Sequence, residues 1–208
     1  NTTQECNAAL KMLEGNREER IQGLRIFCEY RDSRSFPLLL PLLDQPCPVE
    51  RMSVVYALGR NPCPTAVEKL VSLLETDDNA YVRRATAWSL ANYDNQIVLK
   101  PLINALKNDV AAVRLWSSSS LAEIGNVSLE NAQLAAEQLL ISLKIDNEPG
   151  VRSNCIWSLC RLYEKLNNTF QESFVDECTK IALFDKEPSV MEEAKTALDS
   201  MGMQGFYN

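Results

Sequence analysis

The chain contains no histidine. That absence excludes Ser-His-Asp and Cys-His nucleophile pairs and every histidine-ligated metal site. A catalytic site would have to be assembled from carboxylates, thiols, Tyr, Lys or Arg, and no catalytic residue is assigned. Glycine is scarce, seven in 208 residues, and none of it forms a phosphate-cradling loop. The seven cysteines are odd in number and lack CxxC spacing, so neither a zinc ribbon nor a disulfide framework is written and no metal site is expected. Cys47 and Cys63 flank an expected helix of about 13 residues, whose ends stand roughly 20 Å apart. A disulfide needs Cα atoms within about 7 Å, so free thiols and a reducing compartment are expected. Three Asn-x-Ser/Thr triplets, at Asn1, Asn126 and Asn167, do not outweigh the thiols. No apolar run approaches the roughly 18 residues of a membrane span, and the first residues lack a leader's apolar core. Net charge is −7 without any basic run, which argues against a nucleic-acid partner.

What the chain does have is a phrase that returns. "YVRRATAWSL", "AVRLWSSSSL" and "GVRSNCIWSL" align on their arginines, and Arg20, Arg51, Arg83, Arg114 and Arg152 fall into one register, with Met191 in a sixth copy. The intervals are 31, 32, 31, 38 and 39 residues. Seven places after each stand Phe27, Leu58, Leu90, Leu121, Leu159 and Leu198. Self-similarity at such a period is the mark of a solenoid. Between phrases lie segments such as "AVEKLVSLLE" and "AAEQLLISLK" with helical apolar spacing. Pro37, Pro64 and Pro101 fall near helix starts, while Pro41 lies deeper and bends or shortens its helix. No alternating strand pattern competes. The fold expected is all-α: about twelve helices in six antiparallel pairs, over residues 4–30, 33–60, 64–92, 95–124, 129–167 and 170–201, forming a single right-handed α-solenoid domain over 1–208.

Asp78, Asp109 and Asn147 each stand five residues before the arginine of their copy. Short acceptors there are expected to cap the second helices, and an Asp/Arg ladder to lock repeat onto repeat.

These phrases resemble the HEAT repeat, and more narrowly the HEAT-like repeats of phycobilisome-lyase-type proteins of cyanobacteria and plastids. The resemblance covers nearly the whole chain, most strongly residues 64–200. It implies the solenoid fold, a cytoplasmic or plastid-stromal setting, and a role near phycobilisomes as a bilin lyase subunit, bilin chaperone or assembly scaffold. It supplies no catalytic motif that maps onto residues of this chain.

Numbering each phrase from zero at the residue before the arginine, places 0, 4, 7, 8 and 11 share one helix face, the expected core. The opposite face should be polar, yet places 2, 6 and 9 hold Met52, Arg84 and Leu115, then Tyr56 and Trp88 and Trp157, then Gly59, Ala91, Ala122 and Cys160. Place 10 adds Arg60, Asn92 and Arg161, and Trp116 stands alongside at place 3. Arg25 and Thr196 break the pattern in the end copies, as terminal caps would. Second helices line the concave side of such stacks, so a groove with aromatic anchors and an arginine edge is expected to take a partner. The other reading open at this point is that superhelical twist turns the aromatics into contacts between successive second helices.

The binding set is Met52, Tyr56, Arg60, Arg84, Trp88, Asn92, Leu115, Trp116, Trp157, Cys160 and Arg161. Two functions follow: a non-catalytic scaffold or chaperone that grips a partner protein, or, as the resemblance implies, a phycobilin lyase or bilin carrier. In the second, the groove would hold a linear tetrapyrrole, with arginines on its propionates, and present it to a phycobiliprotein. No cofactor is required by the first.

Overall fold

A computed structural model describes residues 1–203. Twelve α-helices and no strand are found among the described residues, and the chain divides into two compact units, Asn1–Pro101 and Leu102–Asn208.

The first unit holds α1 (Thr2–Met12), α2 (Arg17–Glu29), α3 (Phe36–Leu39), α4 (Pro48–Arg60), α5 (Val67–Thr76) and α6 (Ala80–Ser89). Each odd helix packs on the even helix that follows, and α2, α4 and α6 pack side by side as a row. Pro41 acts as expected: α3 stops at Leu39 and the chain continues as a 3₁₀ segment, Leu40–Asp44. Helix starts are fixed locally. Asn16 and Glu19 form a reciprocal capping box on α2, and Asn79 accepts from the Tyr81 and Val82 amides of α6.

The division between units falls within α7 (Leu99–Asn108). The second unit continues with α8 (Ala111–Gly125), α9 (Leu129–Ile145), α10 (Pro149–Leu162), α11 (Asn168–Phe184) and α12 (Pro188–Ser200). Here α9 packs on α8 and α10, α11 packs on α12, and α8, α10 and α12 form the row. Gly202, at φ 74°, ends α12: its N–H reaches Asp199 O and the Met203 N–H reaches Leu198 O, a Schellman closure that needs a left-handed residue.

The core face is the expected one. Val82, Val113, Val151 and Val190 at place 0 are buried, as are the small residues at place 7 and the Phe27–Leu198 row at place 8. Place 11 carries two buried straps in the first unit. The Asn61 side chain donates to Phe27 O and Tyr30 O and accepts from the Asp32 amide at 2.7 Å, tying α4 to the turn after α2. Tyr93 donates its hydroxyl to Leu58 O at 2.8 Å and accepts from the Cys63 amide, tying the end of α6 to the end of α4.

The arginine ladder exists, with Asp77 and Asp146 in place of the expected Asp78 and Asn147. Arg51 forks onto Asp77, Arg114 onto Asp146 at 2.8 and 3.0 Å, and Arg152 reaches Asp185. Each of those aspartates also accepts the amide two residues on, at Asn79, Glu148 and Glu187, and so shapes the turn before the next second helix. Each arginine further donates to a carbonyl of its own turn, as Arg114 does to Asp109 O and Arg152 to Asp146 O. Asp78 stays exposed, and the N-caps of α8 and α10, Val110 and Glu148, make no side-chain cap bond. The first rung differs: Arg20 pairs with Glu50, buried at the place where later copies carry valine.

Candidate functional site

The open face of the second helices is narrower than the sequence suggested. Place 9 is closed: Gly59 and Ala122 are buried, Ala91 and Cys160 half-buried. A Cβ on Gly59 would stand 2.4 Å from Cζ3 of Trp88 and 3.0 Å from Ser89 Oγ, so this face of α4 lies hard against α6. Place 5, with Val55, Ala87, Ser118 and Ile156, is buried on the same side. Helices packed in a row must press one flank on each neighbour, and the small residues serve that approach instead of flooring a groove. In the second unit Asn154 donates to Leu115 O and Ser119 Oγ, and Ser158 to Ser118 O, across the α8–α10 contact.

The expected binding residues therefore separate into two groups. Tyr56 and Trp88 meet each other across α4 and α6, ring centroids 5.4 Å apart and tilted by 54°, and both are half-buried. They join the two readings: the rings are in contact between helices and are still partly open to solvent. Met52 and Arg84 beside them are half-buried, and Arg60 and Asn92 are exposed. Arg84 lies over the Tyr81 ring at 5.3 Å, with its Nε buried and without a hydrogen-bond partner. Arg60 donates to the Glu29 carbonyl at the end of α2.

In the second unit the aromatics stand open. Trp116 is 37% exposed and Trp157 42%. Arg161 covers the Trp157 ring at 4.9 Å and pairs with Glu123 at 3.0 Å; both partners are well exposed, so the pair adds little stability. Leu115 is half-buried, in van der Waals reach of Gly150 at the start of α10. Cys160 is half-buried and its thiol is pushed up to about 11, chiefly by burial. It belongs to the packing and not to an open reactive site.

Tyr81, 63% exposed beneath Arg84, is an aromatic of this face outside the expected binding set, because it sits one residue before place 0. All seven cysteines are free thiols. Cys47 differs from Cys28 and Cys160 in its surroundings. It occupies the N-cap of α4, where the nearby Glu50 and Val49 amides favour the thiolate and Arg17 adds a 3.0 Å contact, so its pKa falls below the ordinary thiol value. Among the described residues no group of three His, Cys, Asp or Glu side chains is placed to hold a metal, and no helix is long and apolar enough to cross a membrane.

The HEAT-repeat family pattern matches residues 7–91 and 67–160. No curated protein sequence matches the chain. Among solved structures, the chain is similar to a designed armadillo repeat protein in complex with the peptide (KR)4, at 18% identity and TM-score 0.65, over 98% of this chain and 99% of that one. It is similar to the complex of CpcE and CpcF of phycocyanin lyase from Nostoc sp. PCC7120, at 21% identity and TM-score 0.62, over 80% and 99%. Yeast importin-beta gives 18% identity and TM-score 0.60, over 93% of this chain and 30% of that one. With its recurring helix pairs, its arginine rungs and that family match over most of its length, the chain belongs to the HEAT-repeat family and is an all-α solenoid.

Proposed function

We propose that this protein is a non-catalytic scaffold or chaperone that docks a partner protein on the open face of its second helices. The observation that carries the reading is that two of its three tryptophans, Trp116 and Trp157, stand more than a third open on that face, with Tyr81 more open still. Large exposed aromatics gathered on one face mark contact sites. The designed repeat protein above holds a peptide, which supports the same use of the fold here. The test is a pull-down from the native host with wild type and with Trp116→Ala/Trp157→Ala, after circular dichroism shows the variant folded. Loss of the wild-type partners is expected; their undiminished recovery would remove this face from the function.

The likeness to the phycocyanin lyase complex, together with an arginine whose buried Nε lacks an acceptor, supports a second reading. Here a linear tetrapyrrole lies on the face with a propionate at Arg84, in a cytoplasmic or stromal protein that serves phycobilisome assembly. Mixing the protein with a linear tetrapyrrole decides it: an unchanged absorption spectrum at micromolar concentration refutes pigment binding and leaves the scaffold reading standing.

A further inference from the structure

The charge of the second helices is divided unequally. In the first unit α2, α4 and α6 carry seven arginines against four glutamates, a net charge of +3 within a chain of net charge −7. In the second unit α8, α10 and α12 carry three arginines and a lysine against four acids, a net charge of zero. The use of those arginines differs as well. Arg20, Arg51, Arg114 and Arg152 of the ladder are paired with carboxylates, and Arg161 has Glu123. Arg25, Arg60 and Arg84 have no carboxylate partner among the described residues: Arg60 meets a backbone carbonyl, Arg84 a tyrosine ring, and Arg25 is exposed. In a protein with seven surplus acids, three unmatched guanidinium groups on one face are an unsatisfied demand for anions.

Their places are regular. Arg84, Arg25 and Arg60 stand at places 2, 6 and 10, successive turns of one helix stripe, each on a different member of the α2, α4, α6 row. At the middle level that row reads Arg25, Tyr56, Trp88, a cation beside an aromatic pair. Of the four glutamates, Glu19 serves the capping box of α2 and Glu50 is buried on Arg20; Glu18 is exposed just before the numbered places, and Glu29 is exposed at place 10, one turn beyond Arg25 on the same stripe.

We infer that this face of the first unit takes an acidic peptide segment of a partner protein, with carboxylates on Arg25, Arg60 and Arg84 and an apolar or aromatic side chain against Tyr56 and Trp88. The inference rests on the scaffold reading and specifies its partner. Guanidinium groups meet carboxylates bidentately, and the spacing of three arginines over neighbouring helices suits a few discrete anions. A nucleic acid fits less well, because its continuous phosphate chain would run on from the patch over the surrounding acidic surface.

The experiment is fluorescence anisotropy with three labelled probes of about twelve units each: a peptide alternating Asp and Glu with Tyr and Leu, the same peptide with Lys and Arg replacing the acids, and oligouridine. The full chain is expected to bind the acidic peptide preferentially. Arg25→Glu/Arg60→Glu, both at exposed sites, should weaken that binding at least about tenfold, since each rim contact contributes a few-fold and reversal adds repulsion. Arg84→Gln should weaken it several-fold. Lys107→Glu/Lys180→Glu, which changes net charge equally but on first helices, should leave it unchanged. Preference for the basic peptide overturns this inference while peptide docking survives. Preference for oligouridine, equal loss in the lysine control, or no binding of the acidic peptide also overturns it, and the tryptophan pull-down above then judges the scaffold reading by itself.

Discussion

Replacing Gly59 by alanine tests whether Trp88 is seated on α4 or free to face a partner. In an open helix interior the exchange stabilises by about 1 kcal/mol, because glycine gives up more backbone freedom on folding. Here the new methyl would stand 2.4 Å from Cζ3 and 3.1 Å from Cε3 of a rigid indole. Overpacking costs about 1–3 kcal/mol, and a 2.4 Å approach to a rigid ring belongs to the upper part of that range, about 2–3 kcal/mol, so a net loss of about 1–2 kcal/mol is expected in the wild-type background. In a Trp88→Ala background the obstruction is gone. Ser89 Oγ, at 3.0 Å, is small and can turn aside, so Gly59→Ala should then stabilise by close to 1 kcal/mol. The sign of the substitution thus inverts between backgrounds, with a coupling of about 2–3 kcal/mol readable from urea denaturation of the four proteins in the cycle. The single variant should also shift tryptophan emission to longer wavelength as the ring is displaced toward solvent. Stabilisation by Gly59→Ala in both backgrounds would refute the close seating of Trp88 on α4.

Asp146→Ala should destabilise by about 3 kcal/mol, because it strips a buried carboxylate from Arg114 and an acceptor from the Glu148 amide; Asp146→Asn, which keeps an acceptor, should cost about half as much in the same denaturation assay. Tyr93→Phe leaves Leu58 O and the Cys63 amide short of a partner and should cost about 1–3 kcal/mol. Burial pushes the Tyr93 hydroxyl up to about 12 from 10, so its contribution is complete below pH 10 and is lost as pH rises from 10 through 12. The phenylalanine variant should therefore show a flatter fall in stability over that alkaline window. Cys47, held low by the Glu50 and Val49 amides, should alkylate with iodoacetamide faster at neutral pH than Cys28 or Cys160, both pushed up to about 11 by burial, as peptide mapping would report. Arg17→Gln should slow Cys47 alone.

The helix pairs were legible because three independent signals agree in them: the arginine register, the leucine row seven places on, and the prolines near helix starts. The expected limit of the third pair, 64–92, coincides with the 3₁₀ segment starting at Pro64 and the end of the 3₁₀ turn at Asn92. The ladder was legible as a device but not in its partners, since Asp77 and Asp78 are adjacent and only the turn's geometry shows which of them faces Arg51. The open face was overestimated for a related reason. A helical wheel knows one core direction, whereas a helix in a row has a third contact, and the smallness of Gly59 and Ala122 recorded that contact. Asn61 and Tyr93 could have been suspected from polar residues at a core place, but their acceptors are carbonyls about 30 residues away that no periodicity reveals.

In the second unit the rungs join one helix pair to the next, Arg114 to Asp146 and Arg152 to Asp185. The information needed to add a unit is therefore contained in the unit: an arginine that looks forward and an aspartate that answers backward. A duplicated or excised pair would find its connectors already in place on both sides, so length can drift across generations without redesign of the interior.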